Sequence, residues 1–232
     1  MSTERWEIDS SHSSLHFSVR HLVIAKVRGA FARWSGTVQV PDGDFSKATV
    51  AVTIDASSIE TGVADRDGHL KSPDFFDVAQ YPELRFVGKR VRPRSGDEID
   101  VIGDLTIRGI TREVVLRVEQ HGQAKDPWGN LRAAFTATTT IDRKDFGLTW
   151  NQALETGGVL VGDKIEIEAE IQAVKQVAAQ VAGGDYGRCA GTRRRDYAAG
   201  AQSGIHRRGP YGNSRHAGPG LCADRSVHHA RG

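Results

Sequence analysis

Residues 164–173 read KIEIEAEIQA, in which Ile165, Ile167, Ala169, Ile171 and Ala173 alternate with Lys164, Glu166, Glu168, Glu170 and Gln172. A period of two puts every charge on one face of an extended strand and every apolar side chain on the other. The stretch therefore reads as a strand with one face on a core and the other in water. Working outward, the same alternation marks Leu131, Ala133, Phe135 and Ala137; Val114, Leu116 and Val118; Leu84 and Phe86; Val50, Val52 and Ile54; and Leu15, Phe17 and Val19. Weaker strand patterns cover 31–40, with Trp34, Val38 and Val40, and 98–108, with Ile99 and Val101. PDGD at 41–44, PRSGDE at 93–98, RGIT at 108–111 and DPWGN at 126–130 are turn sequences between these runs, so most connections are hairpins. An antiparallel sheet of about eight long, two-faced strands closes into a barrel or folds into a sandwich, and the strand length favours the barrel.

Residues 62–82, GVADRDGHLKSPDFFDVAQYP, break the two-residue rhythm. A connection this long carries structure of its own, and a helical turn or two is expected, limited by Pro73 and Pro82. Two readings stand side by side. One is a rigid loop in which Arg66 pairs with a nearby carboxylate and Asp74 caps a short helix. The other is a lid whose Phe75 and Phe76 seal one end of the barrel.

The chain has 232 residues, of which 38% are hydrophobic and 7% aromatic, enough for one sizeable core or two small ones. Its charge is unevenly spread. Residues 1–175 hold 22 basic and 26 acidic side chains, whereas 176–232 hold nine Arg, three Asp, no Lys, no Glu and 11 of the 26 Gly. The division is thus a barrel over 1–175 and an Arg/Gly-rich tail over 176–232, read either as disordered and solvated or as a stretch translated out of frame. Arg193 to Arg195 could attract phosphate by charge, but no aromatic residues interleave them, and no nucleic acid partner is expected. No apolar run approaches the ~18 residues of a membrane-spanning helix. The opening MSTERWEIDSSHSS has neither the basic start nor the apolar stretch of a signal peptide, so a cytoplasmic location is expected. Cys189 and Cys222 make no disulfide framework and no zinc set.

Several chemistries lack support. His12 and His16 lie about 13 Å apart on a strand and cannot share a metal ion. Asp65, Asp67, His69 and Ser72 are close in sequence without a nucleophile elbow or triad signature. RGIT and GDLT are not glycine-rich phosphate loops. What remains is an aromatic set: Phe17, Phe31, Trp34, Phe75, Phe76, Phe86, Phe135, Phe146 and Trp150. An eight-stranded barrel is either filled by such side chains or just wide enough for one small ligand. Ala133, Ala137 and Gly103 leave the second outcome open.

The runs WEIDSSHSSLHFSVRHL, GAFARWSGTV, SSIETGVADRDGHLKSPDFFDVAQYPELRF, VIGDLTIRGITREVVL, DFGLTW and GDKIEIEAEIQAV closely resemble the YceI-like lipid/polyisoprenoid-binding family, over residues 5 to about 174. The resemblance implies an extended lipocalin-like antiparallel barrel with a short helical lid segment and a hydrophobic cavity for a long amphiphilic chain. It implies a cavity lined by Phe17, Phe31, Phe86 and Phe135, closed by His69, Phe75 and Phe76, and bordered by Phe146 and Trp150. His21, Arg66 and His69 become candidates for contacting a head group. The function expected is non-catalytic binding, storage or transport of a polyisoprenoid, quinone tail or fatty-acid-like lipid, with no cofactor besides that ligand. A lipid-modifying enzyme using Arg66, Asp67 or His69, and a solid-cored protein-interaction module, are the alternatives. A homodimer and peripheral membrane contact stay open. Burial at ~0.8 kcal/mol per CH₂ over some forty carbons would exceed the ceiling of about 18–21 kcal/mol on non-covalent affinity. Affinity is accordingly expected to depend weakly on the last isoprene unit.

Overall fold

The computed structural model describes residues 2–22, 25–153 and 159–176. The tail expected to be disordered or out of frame lies, from residue 177 on, outside the described residues. Among the described residues there are eleven strands: β1 (Thr3–Ile8), β2 (Ser14–His21), β3 (Ala25–Phe31), β4 (Trp34–Pro41), β5 (Thr49–Asp55), β6 (Ile59–Glu60), β7 (Glu83–Pro93), β8 (Glu98–Ile107), β9 (Ile110–Lys125), β10 (Leu131–Asp142) and β11 (Val161–Gln176). One α-helix, α1 (Ala64–Lys71), interrupts them among the described residues. All pairings are antiparallel. Strands β1, β4, β5, β7, β8, β9, β10 and β11 follow one another in the sheet, and β1 pairs back onto β11 to close an eight-stranded barrel.

The remaining three strands are continuations. β11 carries β1 along its end, from Arg5↔Gln176 to Ile8↔Ala173, and β2 along its start, from Ser14↔Glu170 to His21↔Val161. β4 and β3 divide the far edges of β1 and β2 in the same way, and β5 and β6 pair in turn with β4 and β3. The chain therefore runs as eight staves in up-and-down order, the first three each broken once. The breaks at 9–13, 32–33 and 56–58 lie side by side and are tied partly by side chains. Gln172 N donates to Ser13 Oγ, Asp9 N to Gln172 O, and Ser58 Oγ to Arg33 O and Asp55 O. This line forms a waist.

The turns follow the sequence signals. Between β8 and β9, Ile107 pairs with Ile110 around Arg108 and Gly109, whose φ values are +50° and +72°. Two consecutive left-handed residues make the tight hairpin that matches strand twist, and glycine takes the second place without strain. Strands β1 and β3 are not among the periodic runs. In β3 the alternation of Val27 and Phe31 is interrupted by Gly29, which has no side chain to mark the inner face.

The interior divides at the waist. One buried cluster joins Phe31, Ile54, Ile59, Phe75, Phe86 and Phe146 with their neighbours, toward the end that carries α1. A second, at the far end, holds Trp6, Val40, Ala48, Ala133 and Ala173, with Phe45 packed on them.

Candidate functional site

In the larger cluster the inward side chains do not fill the barrel. A void of about 200 Å³ remains, walled by carbon alone. Its cause is partly visible in the register: Ala137 on β10 faces Ala169 on β11, so two facing buried wall positions carry only a methyl group. Along β11 the lining extends from Val161 to Ile171. At ~3.3 Å per residue and a strand tilt of 35–45°, that is a depth of roughly 25 Å. A volume of about 200 Å³ spread over that depth is a slender channel, smaller than the ~300–1,000 Å³ of common ligand pockets.

Of the residues singled out by sequence, Phe17, Phe31, Phe75, Phe76 and Phe86 line this void. Phe135 does not. It packs against both clusters at once, with its ring centroid 5.9 Å from that of Phe45, which lies 5.7 Å from Trp6. Phe135 is thus part of a floor rather than of the wall, and the barrel is hollow on one side of the waist and filled on the other. Phe45, which periodicity could not reveal because it lies on a 3₁₀ turn (Phe45–Lys47), completes that floor. Phe146 is buried behind the wall, at 1% exposure.

The roof is the segment after β6. Asp65 and Asp67 sit in the first turn of α1, where the helix dipole favours them. Asp67 Oδ1 accepts from Thr61 N at 2.9 Å and from Thr61 Oγ1 at 2.5 Å. Arg66 donates to Thr61 Oγ1 and Thr61 O at 2.7 and 2.8 Å. The expected pairing of Arg66 with a carboxylate is therefore replaced, among the described residues, by a clamp on Thr61 five residues earlier. After α1 the chain doubles back, with Phe76 N donating to Leu70 O and Asp77 N to Ser72 O, and this turns Leu70, Phe75 and Phe76 onto the void. Asp74 follows the helix instead of capping its start, and its Oδ2 lies 2.9 Å from His69 Nε2.

His69 stands outside the channel. Its ring meets Phe75 and Trp150 edge-on, at centroid distances of 5.1 and 4.7 Å. Trp150 in turn lies 5.3 Å from Phe75. His21, at the end of β2 opposite Val161, is half-buried and not part of the lining. His21, Arg66 and His69 are therefore not brought together around one point of the void.

One residue that sequence reasoning missed holds the lid end together. Arg143 is 2% exposed and borders the void. Its Nη1 donates to Leu148 O and Trp150 O at 2.5 and 2.8 Å, its Nε to Gly162 O at 3.0 Å, and its Nη2 to Val161 O and Asp163 Oδ1 at 3.4 Å. All five N–H groups of the guanidinium are used, so the cation is a staple with no donor left for a ligand. Burial pushes its pKa down, but an Arg stays charged in proteins. In sequence it sits in the run DRKD and reads as an ordinary solvated turn.

The model of the YceI-like domain matches residues 6–173. A UPF0312 protein of Staphylococcus aureus strain MSSA476 is 42% identical over 165 residues, spanning 71% of this chain and 94% of that protein. Among solved structures, a mutant form of the Campylobacter jejuni YCEI protein is similar at 29% identity and a TM-score of 0.59, over 68% of this chain and 90% of that one. A polyisoprenoid binding domain from Saccharophagus degradans shares the fold, with a TM-score of 0.55 at 15% identity over 74% of this chain and 98% of that one. With the match running along nearly all of the described residues, the chain belongs to the YceI-like family.

Proposed function

We propose that this protein is a non-catalytic carrier that takes one hydrocarbon chain of an amphiphile, such as a polyisoprenoid, a quinone tail or a fatty acid, into the void between the lid and Phe135. The observation that carries the reading is the carbon-only wall around a slender channel of about 200 Å³. Such a space stays dry, because a water entering it finds no polar partner, while an apolar chain gains the full benefit of leaving solvent. The Saccharophagus degradans domain of the same fold is described as polyisoprenoid-binding, which agrees with this reading.

The polar residues fit a carrier better than an enzyme. Arg66 and Asp67 are spent on Thr61, Arg143 on backbone carbonyls, and His69 faces Asp74 behind Phe75. None presents a free acid, base or nucleophile to the void. Head-group contact falls to the outer side of the lid, where His69 and Trp150 lie. A chain the length of a long polyisoprenoid exceeds the channel as it stands, so loading it requires Leu70, Phe75 and Phe76 to move outward.

Thermal unfolding of the full chain with and without geranylgeraniol or palmitic acid tests the reading. A ligand bound only by the native state raises Tm in proportion to ln(1 + [L]/Kd). A rise with intact lipid recovered afterwards is expected. No rise with either lipid, or turnover of one into a product, overturns it.

A further inference from the structure

Resting on the carrier reading above, we infer that Phe135 is a ruler: its ring ends the channel and sets the longest hydrocarbon chain that the barrel holds at full depth. Inward-facing residues on β10 and β11 pair as Ala137↔Ala169 and, four residues further down β10, as Ala133↔Ala173, with Phe135↔Ile171 between them. Two levels of the barrel therefore have the same small walls. The upper level is open and belongs to the void. The lower level is filled, by the rings of Phe45 and Trp6. Phe135 stands at the boundary and packs on both sides of it, while its partner Ile171 is where the β11 lining stops. The waist in the first three staves meets β11 at the same height, since the break at 9–13 faces Gln172.

The consequence for ligands is a step in selectivity. Each carbon added above the floor removes a methylene from water, which at ~0.8 kcal/mol is about a fourfold gain in affinity. A carbon beyond the floor must stay at the mouth or displace an aromatic ring, and adds nothing. Removing the Phe135 ring joins the open level to the small-walled level beneath it and moves the step to longer chains. Enlarging Ala137 moves it to shorter ones.

Calorimetric titration of the full chain with saturated fatty acids from octanoic to octadecanoic acid reads this directly, in the wild type and in Phe135→Ala and Ala137→Leu. Affinity should climb about fourfold per carbon and then level off. The levelling should come at a longer acid in Phe135→Ala and at a shorter one in Ala137→Leu. Ala137→Leu adds bulk into existing space, so it decides the matter alone if the loss of Phe135 unfolds the barrel. Levelling at the same acid in the wild type and the folded variants overturns the ruler and leaves the carrier reading standing. Binding of no acid by any of the three proteins removes the carrier reading, and the ruler with it.

Discussion

Asp9 and Arg132, 123 residues apart in sequence, meet across the waist, Arg132 Nη1 donating to Asp9 Oδ2 at 2.7 Å. Asp9 lies in the break between β1 and β2, and Arg132 at the start of β10, so the pair bridges two staves that flank β11. The Ser11 hydroxyl, and next the Arg132 guanidinium, hold the Asp9 carboxyl far below the usual carboxylate range. The native state therefore refuses a proton that the unfolded chain, with an Asp pKa of ~3.9, accepts. The pair's contribution is complete above about pH 4 and is lost as pH falls further, toward the depressed native value. Asp9→Asn should cost about 2 kcal/mol at neutral pH, the range for a charge-assisted hydrogen bond. Urea melts of both proteins should show that difference shrinking below about pH 4.

Arg143→Met should destabilise by about 3 kcal/mol or more, because it strands several carbonyls that the guanidinium now satisfies in a buried site. Arg143→Lys should recover little of this. An ammonium is a point donor and cannot span the fork from Leu148 and Trp150 to Val161 and Gly162. Denaturant titration of the three proteins gives the ranking.

Gly29 is the place where Phe17 crosses the neighbouring strand. A β carbon there would overlap Phe17 Cζ and stand 2.9 Å from Glu60 O, so Gly29→Ala forces the ring into the void. A loss of about 1–3 kcal/mol in stability is expected from the overpacking. On the carrier reading, palmitic acid affinity, measured by titration calorimetry, should fall with it, since Phe17 then takes up part of the void.

Asp67→Ala removes the acceptor that ties α1 to Thr61. The stability cost should be about 1–2 kcal/mol. The larger effect should be kinetic: a lid loosened at its base opens more often, so stopped-flow displacement of a bound fluorescent fatty acid should be faster than from the wild type. Equal release rates would place the rate-limiting motion elsewhere.

The barrel was legible because β11, β10, β5 and the first half of β9 alternate apolar with polar side chains, most strictly on β11, where Lys164, Glu166, Glu168 and Glu170 leave one face only for the core. Eight periodic runs matched eight staves even though β1, β3 and β6 were not among them, because those strands prolong staves already counted. The lining was legible only in part. Phe86 and Phe135 carry the same signal, an aromatic residue facing inward on a strand, and sequence tells the face but not the depth. Depth comes from the register of β10 on β11 and from Phe45 folding back out of a turn, neither of which has a local signature. Arg66 shows the complementary limit: composition suggested a carboxylate partner, while a threonine five residues away supplies both a hydroxyl and a carbonyl within reach.

The line of breaks has a consequence for how the wall yields. Where ladder rungs give way to serine hydroxyls and stray carbonyls, opening costs less than at either rim, where long hairpins are stitched residue by residue. In deuterated solvent the amides of residues 10–13, 32–33 and 57–58 should label ahead of those in the strands they join, so the vessel's wall breathes at its girdle while the hairpins above and below it hold.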